Sequence, residues 1–194
     1  MAENEIAKTR GFSSRMLNNE NTLIDSIASS DEFWEFEMSS ELLADKFHDY
    51  TSTLSEEEYD KLMENLNDDD YVEDFMRKAN LENELQQLAK AKENLIKHTG
   101  FLRLNADERT QLFILYAESN ELTKVKLLKT REEGGSTSSC EEQKQAAYRQ
   151  AKADYDNAIA NCKGDNMPFG CLTQAAAKYD RAKDLSLIHI SEPT

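Results

Sequence analysis

Residues 29–50, SSDEFWEFEMSSELLADKFHDY, are the stretch that decides the fold class of this 194-residue chain. Large apolar side chains recur there every three or four residues, which places them on one face of an α-helix. That face comprises Phe33, Phe36, Leu43, Phe47 and Tyr50. Ser29 and Glu32 have the spacing of a capping box, and acidic residues are favourable in the first turn of a helix. The stretch therefore predicts an amphipathic helix with a buried aromatic face.

Three further segments up to residue 129 have the same helical spacing, and each begins with polar residues suited to N-capping. The capping positions are Ser55 with Glu58, Asp68 to Asp70, and Asn105 with Glu108. Residues 67–100 predict one long helix or two helices joined near Asn80, with Gly100 as the residue after the helix end. Amphipathic helices with short connections predict a small antiparallel bundle.

The composition is strongly acidic, with a formal net charge of −15. Residues 1–134 contain 30 of the 38 acidic side chains and 16 of the 23 basic ones. Such a surface repels phosphate backbones and gains nothing from an anionic membrane, so we expect no nucleic-acid partner. No apolar run reaches the length of a membrane span, and the first residues contain no secretory signal sequence.

Composition also divides the chain into five parts. Residues 1–28 are predicted as a loosely ordered polar arm, residues 29–131 as the acidic helical bundle, and residues 132–139 as a flexible linker. Residues 140–184 form a cysteine-containing module. Residues 185–194 do not resemble the rest of the protein.

The module is predicted to be an antiparallel hairpin of two Ala-rich helices. Cys162 and Cys171 flank its loop, and we expect a disulfide between them, because two Ala-faced helices bury little apolar surface. Identical residues recur 31 positions apart, which indicates an internal repeat. The pairs are Cys140 and Cys171, Gln143 and Gln174, Ala146 and Ala177, Tyr148 and Tyr179, Ala151 and Ala182, and Lys152 and Lys183. Three reduced cysteines in a cytosolic protein are the alternative interpretation.

The last ten residues, LSLIHISEPT, resemble a translated DNA adapter rather than a protein family. All ten match the in-frame translation of the transposase adapter used to prepare sequencing libraries. The resemblance implies a gene fragment whose own sequence stops at Asp184, and a fragment could equally lack a signal peptide. Cys162 follows Cys140 by 22 residues, so the repeat predicts a fourth cysteine 22 residues after Cys171, at position 193, where it would pair with Cys140. This chain has Pro193 there, so Cys140 is predicted to be unpaired through truncation.

No residue pattern indicates catalysis, a metal or a cofactor. Motifs for zinc proteases, serine hydrolases, nucleotide-binding loops and EF-hands are absent from the sequence. His48 is predicted as an ordinary helix residue, and His98 as a cation near a helix C-terminus. Phe33, Trp34 and Phe36 either pack inside the bundle or form an interaction patch.

These observations predict an all-α protein and leave two functional hypotheses. The first is a non-enzymatic exported protein, periplasmic, surface-bound or secreted, that acts through binding to another protein or to a surface component. The second is a secreted effector or toxin-like protein, in which the cysteine hairpin is the active part and the N-terminal body its carrier. An enzyme of unknown type is the third hypothesis.

Overall fold

A computed structural model describes residues 22–129, 139–163 and 169–188, which contain nine α-helices and no β-strand. The helices are α1 (Thr22–Ala28), α2 (Asp31–Thr51), α3 (Glu56–Glu64), α4 (Asp69–Lys78), α5 (Glu82–Lys97), α6 (Thr99–Arg103), α7 (Ala106–Lys129), α8 (Ser139–Asn161) and α9 (Gly170–Ile188). Side chains are described for residues 23–119, 143–163 and 169–183. The predicted fold, a helical bundle followed by a helical hairpin, is confirmed. Most of the predicted arm and linker lie outside the described ranges.

Capping side chains set the starts of α2 and α3. The backbone N–H of Phe33 donates to Ser30 Oγ at 3.2 Å, so Ser30 caps α2 and the predicted capping residue, Ser29, is wrong by one position. The predicted capping box of α3 is confirmed, with Ser55 accepting from the Glu58 N–H and donating its own N–H to the Glu58 carboxylate. Each such cap satisfies a backbone donor that the helix leaves unpaired.

Capping also places the starts of α4 and α7 where the sequence predicts them. Asp68 Oδ1 accepts from the Tyr71 N–H at 3.1 Å. Asn105 and Glu108 exchange hydrogen bonds, since each side chain accepts from the other residue's N–H, at 2.8 and 3.0 Å. The predicted break near Asn80 is present, because this residue has a φ of 54° and separates α4 from α5. Asparagine is one of the few residues that tolerate this left-handed conformation.

The predicted role of Gly100 is wrong, because Gly100 lies inside α6 and does not follow the end of α5. His98 is the residue at which α5 ends and α6 begins, and its Nδ1 accepts from the Phe101 N–H at 3.3 Å. A Cβ at position 100 would lie 3.0 Å from Ile27 Cγ1 and 3.0 Å from His98 Cε1. The glycine therefore permits α1 to pack closely on α6.

The helix α2 lies at the centre of an aromatic core. The Phe33 ring lies 6.1 Å from Phe113 and 5.5 Å from Tyr116, measured between ring centroids, and both partners belong to α7. Further along α2, the Phe47 ring lies 5.3 Å from that of Phe75 in α4. Offset and edge-on rings at these separations stabilise a core beyond the area that they bury. The apolar stripe predicted for residues 33–50 is therefore the face that holds α4 and α7 together.

Part of the predicted N-terminal arm belongs to this core. Ile24, Ile27 and Ala28 of α1 are almost completely buried. The helix α1 packs against α2, α6 and α7. The packed body of the structure therefore includes residues from Thr22 onward.

The C-terminal hairpin packs against the body. The helix α8 lies against α7 and α9, and α9 also contacts α2 and α4. The disulfide between Cys162 and Cys171 joins the two hairpin helices at their connection, with 5.9 Å between the Cα atoms. A cross-link that closes so short a loop stabilises a fold by about 2–3 kcal/mol in the chain-entropy model. Ile159 and Leu172 are fully buried and belong to the same core as the body.

Candidate functional site

The contact between the hairpin and the body contains a row of polar residues on α2. Glu37, Ser40, His48 and Thr51 recur at helical spacing along the side of α2 that faces α8 and α9. Glu37 and Ser40 are completely buried, and Thr51 is 5% exposed. Buried polar groups are expensive unless they find partners, so the hairpin must supply those partners.

The first set of partners surrounds the ammonium group of Lys152, and we call Glu37, Ser40, Lys152, Tyr155 and Asp156 the Lys152 cluster. Lys152 Nζ lies 2.7 Å from Glu37 Oε2 and also donates to Asp156 Oδ2. Ser40 Oγ donates to Asp156 Oδ1 at 3.1 Å, and the Tyr155 hydroxyl donates to the Ser40 carbonyl at 3.0 Å. Lys152 is only 4% exposed, so the whole cluster is shielded from water.

Burial perturbs the titration of every ionisable member of the cluster. The pKa of Glu37 is raised well above 4.5, first because burial disfavours the carboxylate and second because Asp156 is a like charge beside it. Burial also raises the pKa of Asp156. Burial alone would lower the pKa of Lys152, but Asp156 and Glu37 reverse that effect and raise it. The ammonium is therefore permanently charged in the folded protein.

Glu37 is the carboxyl group that takes up a proton first as the pH falls. Asp156 accepts hydrogen bonds from both Lys152 and Ser40, and such bonds favour its ionised form. Glu37 accepts from Lys152 through Oε2, whereas its Oε1 is buried and has no hydrogen-bond partner among the described residues. The carboxylate with fewer donors is the less well stabilised as an anion.

A second cluster, which we call the Asp180 cluster, joins α9 to α2 and α3. It comprises Asp180, His48, Thr51 and Tyr59. Asp180 Oδ1 lies 2.7 Å from His48 Nδ1, and Oδ2 accepts from the Thr51 hydroxyl at 2.8 Å and from the Tyr59 hydroxyl at 3.3 Å. The side chain of Asp180 is 3% exposed and that of His48 is 41% exposed. A buried carboxylate thus receives three donors from two helices of the body.

Neither cluster has the arrangement of a catalytic site. The Lys152 cluster is sealed, so no substrate reaches it. The Asp180–His48 pair resembles the orienting pair of a hydrolase, in which the histidine accepts a proton from a nucleophilic hydroxyl. Here the single Thr51 hydroxyl hydrogen is directed to Asp180 Oδ2 at 2.8 Å, with the His48 carbonyl at 3.1 Å as the alternative acceptor, so the hydroxyl is not activated by the imidazole. Both clusters fix the hairpin on the body.

Of the two alternatives predicted for Phe33, Trp34 and Phe36, packing inside the bundle is the one that the structure shows for Phe33 and Phe36. Phe33 and Phe36 are completely buried, since they pack on aromatic rings of α7, and they are not available to a partner. Trp34 is partly buried with its ring 5.6 Å from that of Tyr116. The exposed apolar side chains near it are Met38 and Leu42, which are 65% and 47% exposed.

Trp34, Met38 and Leu42 lie four residues apart along the outer face of α2, and we call them the α2 apolar row. The acidic residues Glu35 and Asp45 lie three positions from members of this row and are exposed. Lys46, which follows Leu42 by four residues, is paired with Glu84 of α5 at 2.8 Å. An apolar strip bordered by exposed carboxylates therefore runs along α2.

The predicted disulfide between Cys162 and Cys171 is present. The side chain of Cys140 and the tail residues 189–194 lie outside the part that the structure describes, so their predicted properties stay predictions. The helix α9 continues through Ile188 and so includes the first residues of the stretch that resembles an adapter.

No helix within the described ranges is both long and apolar enough to cross a bilayer. No group of three or more His, Cys, Asp and Glu side chains in the described part is placed to hold a metal ion.

No protein-family model matches this sequence, and neither a curated protein nor a solved structure shows significant similarity to it. The function must therefore be inferred from the surfaces and buried clusters themselves.

Proposed function

We propose that this protein is a non-enzymatic helical binding protein of an oxidising, extracytoplasmic compartment, and that it contacts its partner through the α2 apolar row. The observation that supports this proposal most directly is the exposure of Met38 and Leu42 beside Trp34 on a helix whose other face is the core of the fold. Aromatic residues and methionine are enriched at protein interfaces, where a few residues, tryptophan among them, supply most of the binding energy.

The disulfide supports the proposed location in an oxidising, extracytoplasmic compartment. Disulfides persist in secreted and periplasmic proteins and are rare in the reducing cytosol. The link between Cys162 and Cys171 is therefore consistent with an oxidising environment.

The charge around the α2 apolar row specifies the kind of partner. Glu35, Asp45 and Asp49 are exposed on the same side of α2, and the whole chain has a net charge of −15. A complementary surface carries positive charge beside apolar side chains. We infer that the partner presents a basic amphipathic helix, which lays its apolar face against Met38 and Leu42.

The buried clusters favour the intact protein as the binding unit over a hairpin released from its carrier. Removal of the hairpin would expose Ile159 and Leu172 and would leave Glu37 without the ammonium of Lys152. A hairpin designed for release would be expected to have a polar surface toward its carrier and few buried charges. The alternative hypothesis of an active hairpin on a carrier is therefore the weaker one.

Trp34 permits a direct test, because it is the single tryptophan of the chain. A helical peptide composed of leucine and lysine on opposite faces is titrated into the oxidised protein while tryptophan emission is recorded. We expect a saturable shift of the emission, because the peptide covers the exposed part of the ring. A peptide of the same composition in scrambled order controls for attraction by charge alone.

Matched variants distinguish the apolar contact with Met38 and Leu42 from attraction between opposite charges. The double substitution Met38→Ser and Leu42→Ser leaves every charge in place, and we expect it to weaken binding by about tenfold or more. Leu102→Ser removes an equally exposed apolar side chain, 60% exposed, from α6 and should leave the affinity unchanged. Equal affinity of the double variant and the unmodified protein would contradict the proposal.

A further inference from the structure

A cleft beside the disulfide has a charge opposite to that of the rest of the molecule. It has a volume of about 550 Å³ and lies where the C-terminal end of α8 meets α5, α6 and the start of α7. Three cationic side chains line it, namely Lys92, Arg109 and Lys163. In a chain of net charge −15, three cations around one cleft are a local reversal of the charge. We call it the cationic cleft.

The acidic residue of the cleft, Glu93, interacts electrostatically with Lys92, but its ion pair is with a lysine outside the cleft. Glu93 lines the cleft but is paired with Lys97, the residue one turn further along α5. The pKa of Glu93 is lowered, first by the hydrogen bond from Lys97. The carboxylate is thus already matched by a lysine that does not line the cleft.

Arg109 has unused capacity to bind an anion. Its guanidinium carbon lies 4.8 Å from the centroid of the Phe101 ring, so the aromatic ring holds the planar group in place. Its Nε is buried, and no acceptor for it occurs in the part of the chain that the structure describes. A buried donor without an acceptor is costly, and the fork of a guanidinium matches the two oxygens of a carboxylate.

Lys92 adds a second partly desolvated cation. Its Nζ donates to the carbonyl oxygen of Cys162 at 2.7 Å, which fixes the ammonium at the edge of the cleft next to the disulfide. Burial lowers the pKa of Lys92. An anion bound beside Lys92 would favour the charged form of this lysine, and the attraction between the two charges would stabilise the bound state.

The cleft also has apolar walls. Ile96 and Phe101 contribute to them, and Leu102 is 60% exposed at the opening. An inorganic anion would leave these surfaces in contact with water. A ligand with both a carboxylate and a hydrocarbon part would satisfy Arg109 and cover Leu102 together.

We propose that the cationic cleft binds a small organic acid, with its carboxylate on Arg109 and Lys92 and its hydrocarbon part against Ile96 and Leu102. The site is separate from the α2 apolar row and does not depend on the proposed function. The disulfide contributes by holding the end of α8, and with it the Cys162 carbonyl that positions Lys92.

The test is a titration of the oxidised, isotopically labelled protein with octanoate, followed by the backbone amide resonances and the Nε–H resonance of Arg109. Octanol and inorganic phosphate are titrated in parallel, because they present the hydrocarbon part and the anionic part separately. We expect octanoate to shift the Arg109 Nε–H resonance and the amides of residues 92–102 in a saturable manner. Octanol and phosphate should bind at least about tenfold more weakly.

Substitutions identify the side chains that contact octanoate. Arg109→Gln should weaken octanoate binding by at least about tenfold, and Arg109→Lys should weaken it to a smaller extent, because the charge remains but the fork is lost. Lys92→Gln tests the site without disturbing the Phe101 contact, in case Arg109 proves necessary for folding. Lys90→Gln removes an exposed lysine of α5 that does not line the cleft, and it should have no effect.

Three results would overturn the proposal. Octanoate binding that survives both Arg109→Gln and Lys92→Gln would place the ligand elsewhere. Phosphate that binds as tightly as octanoate would show a simple ion site, and octanol that binds equally well would show an apolar groove without anion recognition.

Discussion

Replacement of Lys152 by methionine should destabilise the folded protein severely. Methionine fills a similar volume but removes the ammonium group that Glu37 and Asp156 share. Both carboxyl groups are completely buried, so each would have to be ionised without a cation or become protonated at a cost. Loss of one partner from a buried ion pair costs roughly 3–5 kcal/mol. This is a large fraction of the total stability of a domain, which is about 5–15 kcal/mol.

Urea denaturation at neutral pH, followed by the emission of Trp34, measures this change. With an m-value of about 2 kcal/mol per M, the midpoint should fall by about 1.5–2.5 M. The control is Lys97→Met, which breaks a pair with Glu93 of the same four-residue spacing on the exposed face of α5. Surface pairs contribute little, so the midpoint of this control should hardly move.

A triple variant distinguishes lost charge pairing from lost packing. Lys152→Met combined with Glu37→Leu and Asp156→Leu removes the whole ionic group and replaces it with apolar side chains. Replacement of a complete buried ionic group is often neutral or stabilising, so this variant should recover much of the lost stability. If Lys152→Met alone is as stable as the unmodified protein, the inference that the Lys152 cluster holds the hairpin on the body is wrong.

Three other substitutions test separate parts of the structure. Because the pKa of Glu37 is raised in the folded state, its contribution to stability is complete below about pH 4.5 and is lost as the pH rises through the folded pKa, by at most about 1.4 kcal/mol per pH unit. Glu37→Gln should therefore flatten the fall in unfolding free energy as the pH rises above 4.5, and an unchanged pH profile would contradict this. Asp180→Asn removes the carboxylate that accepts a hydrogen bond from His48, and it should lower the free energy of unfolding in urea denaturation by about 1–3 kcal/mol. Unchanged stability would show that the Asp180 cluster contributes nothing. Gly100→Ala should lower the melting temperature, because the added methyl group would lie 3.0 Å from Ile27 Cγ1. The cost of this overpacking, about 1–3 kcal/mol, exceeds the gain in helix propensity. A higher melting temperature would refute the close contact.

The features that the sequence predicts correctly are those that depend on neighbouring residues. The capping box of Ser55 and Glu58 lies within four residues, and the apolar face of α2 follows from a spacing of three and four. The disulfide could be predicted because Cys162 and Cys171 lie at the two ends of one short connection. In each case neighbouring partners are at most nine residues apart in the sequence.

The features that the sequence did not predict depend on residues far apart in the chain. Lys152 and Asp156 have the spacing of an ordinary surface ion pair, and nothing in α8 distinguishes them from one. Their burial depends on Glu37 and Ser40, which lie more than one hundred residues earlier. A usable indication was present in α2, since Ser40 falls within the arc occupied by its apolar face and Glu37 lies next to that arc.

The internal repeat also shows that contacts between distant parts of the chain cannot be predicted from the local sequence. Lys152 and Lys183 occupy equivalent positions in the predicted repeat, yet Lys152 is buried between carboxylates whereas Lys183 is partly exposed and lies 5.6 Å from the Tyr179 ring. Sequence equivalence within the hairpin therefore does not define which face meets the body. Only the packing of α8 and α9 against α2 decides that.

The interaction patch shows why exposure is difficult to predict. Phe33, Trp34 and Phe36 are adjacent aromatic residues, but consecutive residues of a helix point in different directions. Phe33 and Phe36 face α7, while Trp34 lies on the side that continues into Met38 and Leu42. The helix α2 therefore has apolar residues on two faces, one buried in the core of the fold and one that includes the exposed Met38 and Leu42.

Hydrogen exchange of the oxidised protein, measured in increasing concentrations of urea, tests most directly whether the hairpin and the body form the single unit on which the proposed function depends. The amides that we expect to exchange most slowly in α8 and α9 belong to helices that share a core with α2, and the Lys152 and Asp180 clusters join the three helices. We expect these amides to exchange with the same opening free energy and the same urea dependence, as members of one cooperative unit do. Exchange of α8 and α9 at a much lower free energy, while α2 stays protected, would show a hairpin that opens independently and would contradict the proposed single unit.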